Sequence, residues 1–490
     1  MTPCTVVLYG KVYTTSALFM HALRHLTTRY ADETQDVRFH FILDDRRDRD
    51  LAASLLDPAR VTVEAQYETC RPDDATRAWP DETVRGWESR YGVPHLRPYL
   101  HAERILEERP EAVRWRYLFS HLDYFERVCD RLKPSLFVSG AASVLSSWLA
   151  INVFQRRGVP TLIYSPARFG DRCFLAEDAH ERLNIGGRFR HLQQEGCTPE
   201  QRADAGALIQ QYRDHAVKPT EFWMVKRRTK MRLIPRPNRI VKWLHHASAT
   251  DGRYYDESFR AVATRALKAR RTWAYERLLH RRTLRSLPAD RPFFFLPLQF
   301  EPEMSISTQG RGWTDQLELV RLVSESLPID RWLYVKEHPM MPMGVRPLSF
   351  YRTIQRLPRV ALLDQRMDSY SIVPKAEAVI TLGSTVGWEA LMFRRPVLLA
   401  GRAFYEEFSD GVIAWDDVEA LPGLLRGMRD RRIDEDALIA FTAGTLSKAP
   451  HALLTEPRQF PEAASTVLGE ENLDRICRIL LERLSPQGEL

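Results

Sequence analysis

Short apolar runs alternate with amphipathic stretches along most of the chain. Thr5–Tyr9 (TVVLY) is an apolar run closed by Gly10, Ser16–Tyr30 carries helical spacing, and Arg38–Leu43 (RFHFIL) is the next run. Apolar runs of roughly four to eight residues bounded by turn residues predict buried strands, and a spacing of about 3.6 residues predicts helices packed over them. The rhythm continues with a helix over Trp115–Asp130, a strand at Ser135–Gly140, a helix over Ala141–Gln155 and a strand at Pro160–Ser165. Strand, helix, strand in succession predicts a doubly wound parallel sheet. Residues 50–110, polar and rich in proline, predict helices and loops over that sheet. The pattern resumes with a strand at Pro292–Gln299 and a helix over Thr314–Leu327, spaced at Leu317, Val320, Val323 and Leu327. Strands follow at Trp332–Val335, Ala378–Leu382 and Pro396–Ala400, and amphipathic helices at Asp434–Phe441 and Glu471–Leu484. The expected fold class is α/β: two Rossmann-like domains facing a cleft, with a helical basic insert and C-terminal helices. The expected bounds are 1–285, with a basic helical segment over about 200–285, then 286–455, then a helix in 456–490 that packs back on the first domain.

Composition narrows the classes. At 490 residues the chain exceeds what one hydrophobic core supports. The six cysteines include no Cys-x-x-Cys pair, which argues against a zinc site or a disulfide framework and for a reducing cytoplasm. The first residues lead into a strand rather than a signal peptide, and no apolar run approaches the roughly 20 residues that span a bilayer. The net charge of +7 is unevenly spread: Lys226–Lys242 holds eight Lys and Arg and no acid, interleaved with Leu233, Ile234, Ile240 and Val241. Arg227, Arg228, Lys230 and Arg232 are therefore candidates for an acceptor or inner-membrane surface, because cationic and apolar side chains together suit anionic headgroups or an anionic glycan. A solvated helical excursion is the competing reading. No nucleic-acid recognition motif accompanies the stretch.

Candidate chemistry gathers where strands end. Trp332–Val335 leads into Lys336-Glu337-His338-Pro339, and Ala378–Leu382 leads into Gly383-Ser384-Thr385 and a helix that carries Glu389. A strand, a small-residue turn and a helix start present free N–H groups and a partial positive charge to an anion. Ser384 and Thr385 suit the N-cap, and their hydroxyls can also reach a phosphate. Lys336 and His338, two residues apart in an extended segment, make a cationic grip that Pro339 holds in place. Gln299 and Glu301 stand at another strand end, Asp364 and Asp368 flank a loop, and Phe404 and Tyr405 are placed at the rim. In the N-terminal half, Asp171, Glu177 and Asp178 lie beyond a strand and could serve as base or nucleophile. The competing reading there is an acidic turn balanced by Arg168 and Arg172. Asp44 and Asp45 could be metal ligands or a sugar-binding pair, although Arg46, Arg47 and Arg49 favour a solvated charged loop. Gly10 would admit a close substrate approach or simply form a turn.

Three motifs, in the order PLQFEPEMSI (Pro297–Ile306), VKEHP (Val335–Pro339) and TLGSTVGWEALMFRRPVLLAG (Thr381–Gly401), resemble the bacterial capsule polysaccharide biosynthesis glycosyltransferases, relatives of the Kdo transferases that use CMP-sugars. The resemblance covers about residues 290–405. It implies a GT-B-like enzyme in which Lys336, His338, Pro339, Gly383, Ser384 and Thr385 hold donor phosphate, while Gln299, Glu301 and Glu389 hold ribose or sugar. Glu177-Asp178 is similar to the acidic pair of bacterial sialyltransferases, with Ala179 where glycine usually follows. It makes Asp178 the preferred base or nucleophile and leaves Asp171 in reserve. It further implies a nucleotide-sugar co-substrate (CMP-Kdo type favoured), no resident cofactor or required metal, and a glycan or lipid-linked acceptor. A polyol-phosphate transferase using CDP-glycerol and a non-catalytic adaptor of an assembly complex are the alternatives.

Overall fold

The computed structural model describes residues 4–11, 15–70, 80–215 and 282–485, less 94, 102, 104–105, 107–108, 143, 168, 302–305, 307–308, 311–312, 314, 340, 342–345 and 459–460. Arg227, Arg228, Lys230 and Arg232, with nearly all of the basic segment they belong to, lie outside the described residues.

In chain order, the first elements are β1 (Cys4–Gly10), α1 (Ser16–Arg29), β2 (Val37–Leu43), α2 (Arg49–Leu55), β3 (Val61–Ala65) and α3 (Gln66–Thr69). Then come α4 (Asp81–Tyr91), α5 (Glu111–Leu132), β4 (Leu136–Gly140), α6 (Leu145–Arg156), β5 (Thr161–Pro166) and β6 (Cys173–Ala176). Next are α7 (Gly186–Glu195), α8 (Pro199–Arg213), β7 (Phe293–Pro297), α9 (Gln316–Glu325), β8 (Trp332–Lys336) and α10 (Leu348–Ile354). They are followed by β9 (Val360–Leu363), α11 (Ser369–Ile372), β10 (Ala378–Thr381), α12 (Thr385–Met392), β11 (Val397–Leu399) and β12 (Val412–Ala414). The last are α13 (Leu421–Met428), α14 (Glu435–Leu446), α15 (Ala464–Val467) and α16 (Glu470–Leu484).

The chain divides into two compact units. One is Met1–Ile185 with Thr445–Leu490, the other Gly186–Gly444. In the first unit the strand order is β3-β2-β1-β4-β5-β6, parallel except for β6. Residues 136–140 of β4 and 6–10 of β1 are buried throughout, as expected of strands covered on both faces by helices. β3, inside the stretch expected to lack strands, is an edge strand whose Thr62 and Val63 face solvent; its mixed composition hides it. Helix α16 closes the core, with Leu473, Ile476, Cys477 and Leu480 packed among Leu8, Phe19, Leu23 and Leu26. The Tyr164 hydroxyl donates to the Ile476 carbonyl at 3.0 Å. Burying each of those large apolar side chains contributes about 1.5–3 kcal/mol.

In the second unit the order is β12-β11-β10-β7-β8-β9, with every pair parallel. The chain leaves β7 towards β8 and β9 and later returns to its other side at β10. The switch in direction falls between β7 and β10, and ligands of such sheets bind outside the strands' carboxyl ends at that point. The expected boundary near 285 differs from the structure, because α7 and α8 pack in the second unit. The Trp388 indole donates to the Tyr212 hydroxyl at 3.1 Å, and Arg213 makes two contacts of 2.9 Å with Glu435. Both sheets are Rossmann-like, so the α/β class with two Rossmann-like units stands.

Candidate functional site

At the carboxyl end of β10, Thr381 is fully buried, and its hydroxyl accepts from the backbone N–H of Gly383 at 3.2 Å and of Ser384 at 3.0 Å. Ser384 is the N-cap of α12; its hydroxyl accepts from Val386 N–H at 3.2 Å. The turn is tight. Gly383 has φ 145°, and a Cβ there would stand 2.5 Å from the Arg402 carbonyl oxygen. Two N–H groups expected to be open to a phosphate are thus held by Thr381, and the helix end itself remains the anion-directed feature. Tyr405, expected at a rim, is fully buried; its hydroxyl donates to the Ser384 carbonyl at 2.6 Å.

A buried network organises the ends of β7 and β8. Gln316 in α9 accepts from Gln299 N–H at 2.7 Å and donates to Glu301 at 2.5 Å. Arg346, almost fully buried, reaches Glu301 at 2.5 Å, the Gln299 carbonyl at 2.6 Å and Glu337 at 2.9 Å. Glu337 also accepts from the Tyr351 hydroxyl at 2.8 Å and from His338 N–H at 2.7 Å. Burial raises the pKa of both carboxylates, and Arg346 opposes the rise. Glu301, expected to hold sugar, is instead tied into this frame and positions the loop after β7. Arg346, Gln316, Tyr351 and Thr381 escaped the sequence reading; an arginine in VRPLSF carries no motif signal.

Lys336 ends β8 with only 4% of its surface exposed. Burial lowers its pKa, and the negative charges of Glu389, Asp368, Glu337 and Asp364 act the other way. Among the described residues, no hydrogen bond or ion pair engages its ammonium. Glu389, in α12, is buried as well, and its charge adds to burial in raising the phenols of Tyr212, Tyr370 and Tyr405. The Gln299 amide contacts the Thr381 hydroxyl at 3.5 Å, so the β7 and β10 ends meet. His338 is half-buried, its ring in a T-shaped contact with Phe300 at a centroid separation of 5.9 Å, and the adjacent Pro339 is exposed. Thr385 starts α12. Asp364 is bound to Arg366 at 2.8 Å, and Asp368 caps α11. Gln299, Lys336, His338, Ser384 and Glu389 therefore collect at one end of this sheet, around a lysine that can take a further anionic partner.

The N-terminal acids do not form a comparable group. The Asp178 carboxylate accepts from His180 N–H at 2.9 Å and pairs with Arg182 at 2.6 Å, as an acidic turn does. Glu177 faces Lys448 at 3.4 Å, and Asp171 contacts His451 at 2.7 Å and Arg475 at 3.1 Å. Asp44 and Asp45, expected on a solvated loop, are both buried. Among the described residues no cluster of three or more His, Cys, Asp or Glu could hold a metal ion, and no helix is long and apolar enough to cross a membrane.

Residues 200–413 match a family model described as capsule polysaccharide biosynthesis protein. No curated protein matches the chain. Among solved structures, the β-Kdo 2,4 transferase KpsC of Thermosulfurimonas dismutans is similar at 12% identity over 71% of this chain and 87% of that one, with a TM-score of 0.35. The β-Kdo 2,7 transferase KpsC of the same organism is similar at 15% identity over 74% and 90%, with a TM-score of 0.31. UDP-GlcNAc 2-epimerase from Neisseria meningitidis, bound to UDP-GlcNAc, is similar at 10% identity over 91% and 98%, with a TM-score of 0.30. Scores of this size leave the functional argument to the family match and the site.

Proposed function

We propose that this chain, whose residues 200–413 belong to the capsule polysaccharide biosynthesis family, is a glycosyltransferase of surface-polysaccharide synthesis that holds its nucleotide-sugar donor on the second unit. The observation that carries the reading is the gathering of Lys336, Glu389 and the Thr381–Ser384 turn at the switch point of that sheet, inside the matched segment. Lys336 and His338 would neutralise donor phosphate, with the Gly383-Ser384 turn and the start of α12 at Thr385 behind it. Glu389 and Gln299 would accept and donate to ribose or sugar hydroxyls. As the glycosidic bond breaks, negative charge grows on the leaving phosphate. A fixed cation and helix terminus in a water-poor site stabilise that charge more than the ground state. These groups would supply the positive charge without a metal ion.

A CMP-activated acidic sugar is the donor the motifs favour, and a glycan or lipid-linked saccharide the acceptor. The enzyme would work in the cytoplasm at the inner-membrane face, with Arg227, Arg228, Lys230 and Arg232 available to anionic groups. An acid of the first unit would accept the acceptor's proton or form the intermediate. Of the three named above, Glu177 has the loosest tie and Asp178 the tightest.

Nucleotide release tests this: the full chain is incubated with a mixed glycan acceptor and, in turn, CMP-Kdo, UDP- and GDP-sugars and CDP-glycerol, and free nucleotide is separated by chromatography. CMP is expected from CMP-Kdo, with the rate falling about 100-fold in Lys336→Ala. Release from CDP-glycerol alone would favour the polyol-phosphate alternative, and release from none would count against a transferase.

A further inference from the structure

Three neighbouring parallel strands of the first unit are each followed by a polar residue that is buried or nearly so. Gly10 of β1 pairs with Leu43 of β2, and Leu43 with Ala65 of β3. The next residue of each strand is Lys11, Asp44 and Gln66, so the three stand in one row across the carboxyl ends. Their exposures are 12%, 6% and 1%. Asp44 accepts from the Tyr9 hydroxyl at 2.9 Å and from the Lys11 ammonium at 3.1 Å, and Lys11 also reaches the Ser146 hydroxyl at 3.1 Å. Gln66 differs: among the described residues neither its amide nitrogen nor its amide oxygen has a partner. The row borders the switch point of this sheet, between β1 and β4, where α/β sheets take ligands.

Strand pairing does not require this row. β1 and β2 are already joined along their whole length, and a buried ion pair stabilises less than apolar groups of the same shape. A fully buried amide without partners loses its hydrogen bonds to water and gains none. Asp45 shows what a structural acid looks like in the same loop: Arg47 takes it at 2.7 Å and 2.8 Å, and it also caps the following turn.

We propose that the Lys11–Asp44–Gln66 row binds sugar hydroxyls and is the acceptor-recognition site of the enzyme, an assignment that rests on the glycosyltransferase reading. The chemistry selects the class. Asp44 opposes an anion and Lys11 opposes a cation. A donor, an acceptor and an amide that does both suit adjacent hydroxyls, each of which donates and accepts. Asp44 and Lys11 take one hydroxyl pair, and Gln66 takes the next.

The test is saturation-transfer NMR on the full chain with the methyl glycosides of galactose, N-acetylglucosamine and glucose, with sodium sulfate as competitor. Wild type, Asp44→Asn, Gln66→Leu and Lys336→Met are compared, and the CMP thermal shift is recorded on each. At least one glycoside is expected to bind wild type and Lys336→Met alike, and to bind Asp44→Asn and Gln66→Leu about tenfold more weakly. Gln66→Leu should melt no lower than wild type, since it removes an unpartnered buried amide, so its loss of sugar is not a loss of fold. Equal binding by wild type and Asp44→Asn, no glycoside bound by wild type, or displacement by sulfate would each overturn the assignment. A CMP shift absent from all four proteins would count against the donor reading, which is thereby judged separately.

Discussion

Lys336 and Arg346 carry the sharpest residue-level predictions. Lys336 is a charge held in a buried place, and its pKa lies below the 10.5 of the unfolded chain. The unfolded state therefore binds more protons over that window, and stability gained from Lys336 rises with pH. Lys336→Met should be more stable than wild type near neutral pH. Its advantage should shrink as pH rises through the lowered native pKa towards 10.5, read by urea denaturation at each pH. An advantage that stays constant across that range would mean that the lysine is not penalised by burial. Arg346 is the opposite case. Arg346→Met leaves Glu337 and Glu301 without their counter-charge and should cost about 3–5 kcal/mol in the same assay. Little of this was legible beforehand: Lys336 and His338 stood out beside a strand end, whereas Arg346 acts through neighbours far away in sequence. Glu301 looked like a ligand because its own partners, Gln316 and Arg346, are supplied by later elements.

At the scale of elements, the buried strands were readable and the turn chemistry was not. Continuous apolar runs give β1, β4, β8 and β10 to within a residue or two at either end. The half-exposed edge strand β3 lacks that signature, with Val63 40% exposed. The helix start after β10 was also readable, from Gly-Ser-Thr, but not that the Thr381 hydroxyl and Tyr405 would brace it. That bracing predicts a strict need at position 387: a Cβ there would lie 2.2 Å from the Tyr405 hydroxyl oxygen. Gly387→Ala should cost about 1–3 kcal/mol by overpacking and weaken nucleotide binding by loosening Ser384. Thermal melts with and without CMP check both effects; an unchanged melting point and an unchanged nucleotide response would show that Tyr405 does not brace the turn.

For the whole molecule, unit membership follows contacts rather than chain order. The strand and helix rhythm predicted two Rossmann-like sheets. It did not predict that α8 would join the second unit through Tyr212 and Arg213, or that the return to the first unit, expected from about residue 456, would begin at Thr445. A chain cut before α16 should therefore lose more than an appendage. Leu8, Phe19 and Leu26 would be uncovered, and differential scanning calorimetry should show the first unit's transition lowered or lost while the second unit's remains. Two unchanged transitions would show that α16 is dispensable. The central claim, that the second unit holds a nucleotide at Lys336, is tested most directly by isothermal titration of CMP into wild type, Lys336→Met and Asp178→Asn. Binding by wild type and Asp178→Asn with none by Lys336→Met is the predicted result. Equal binding by all three, or no binding by wild type, would contradict it.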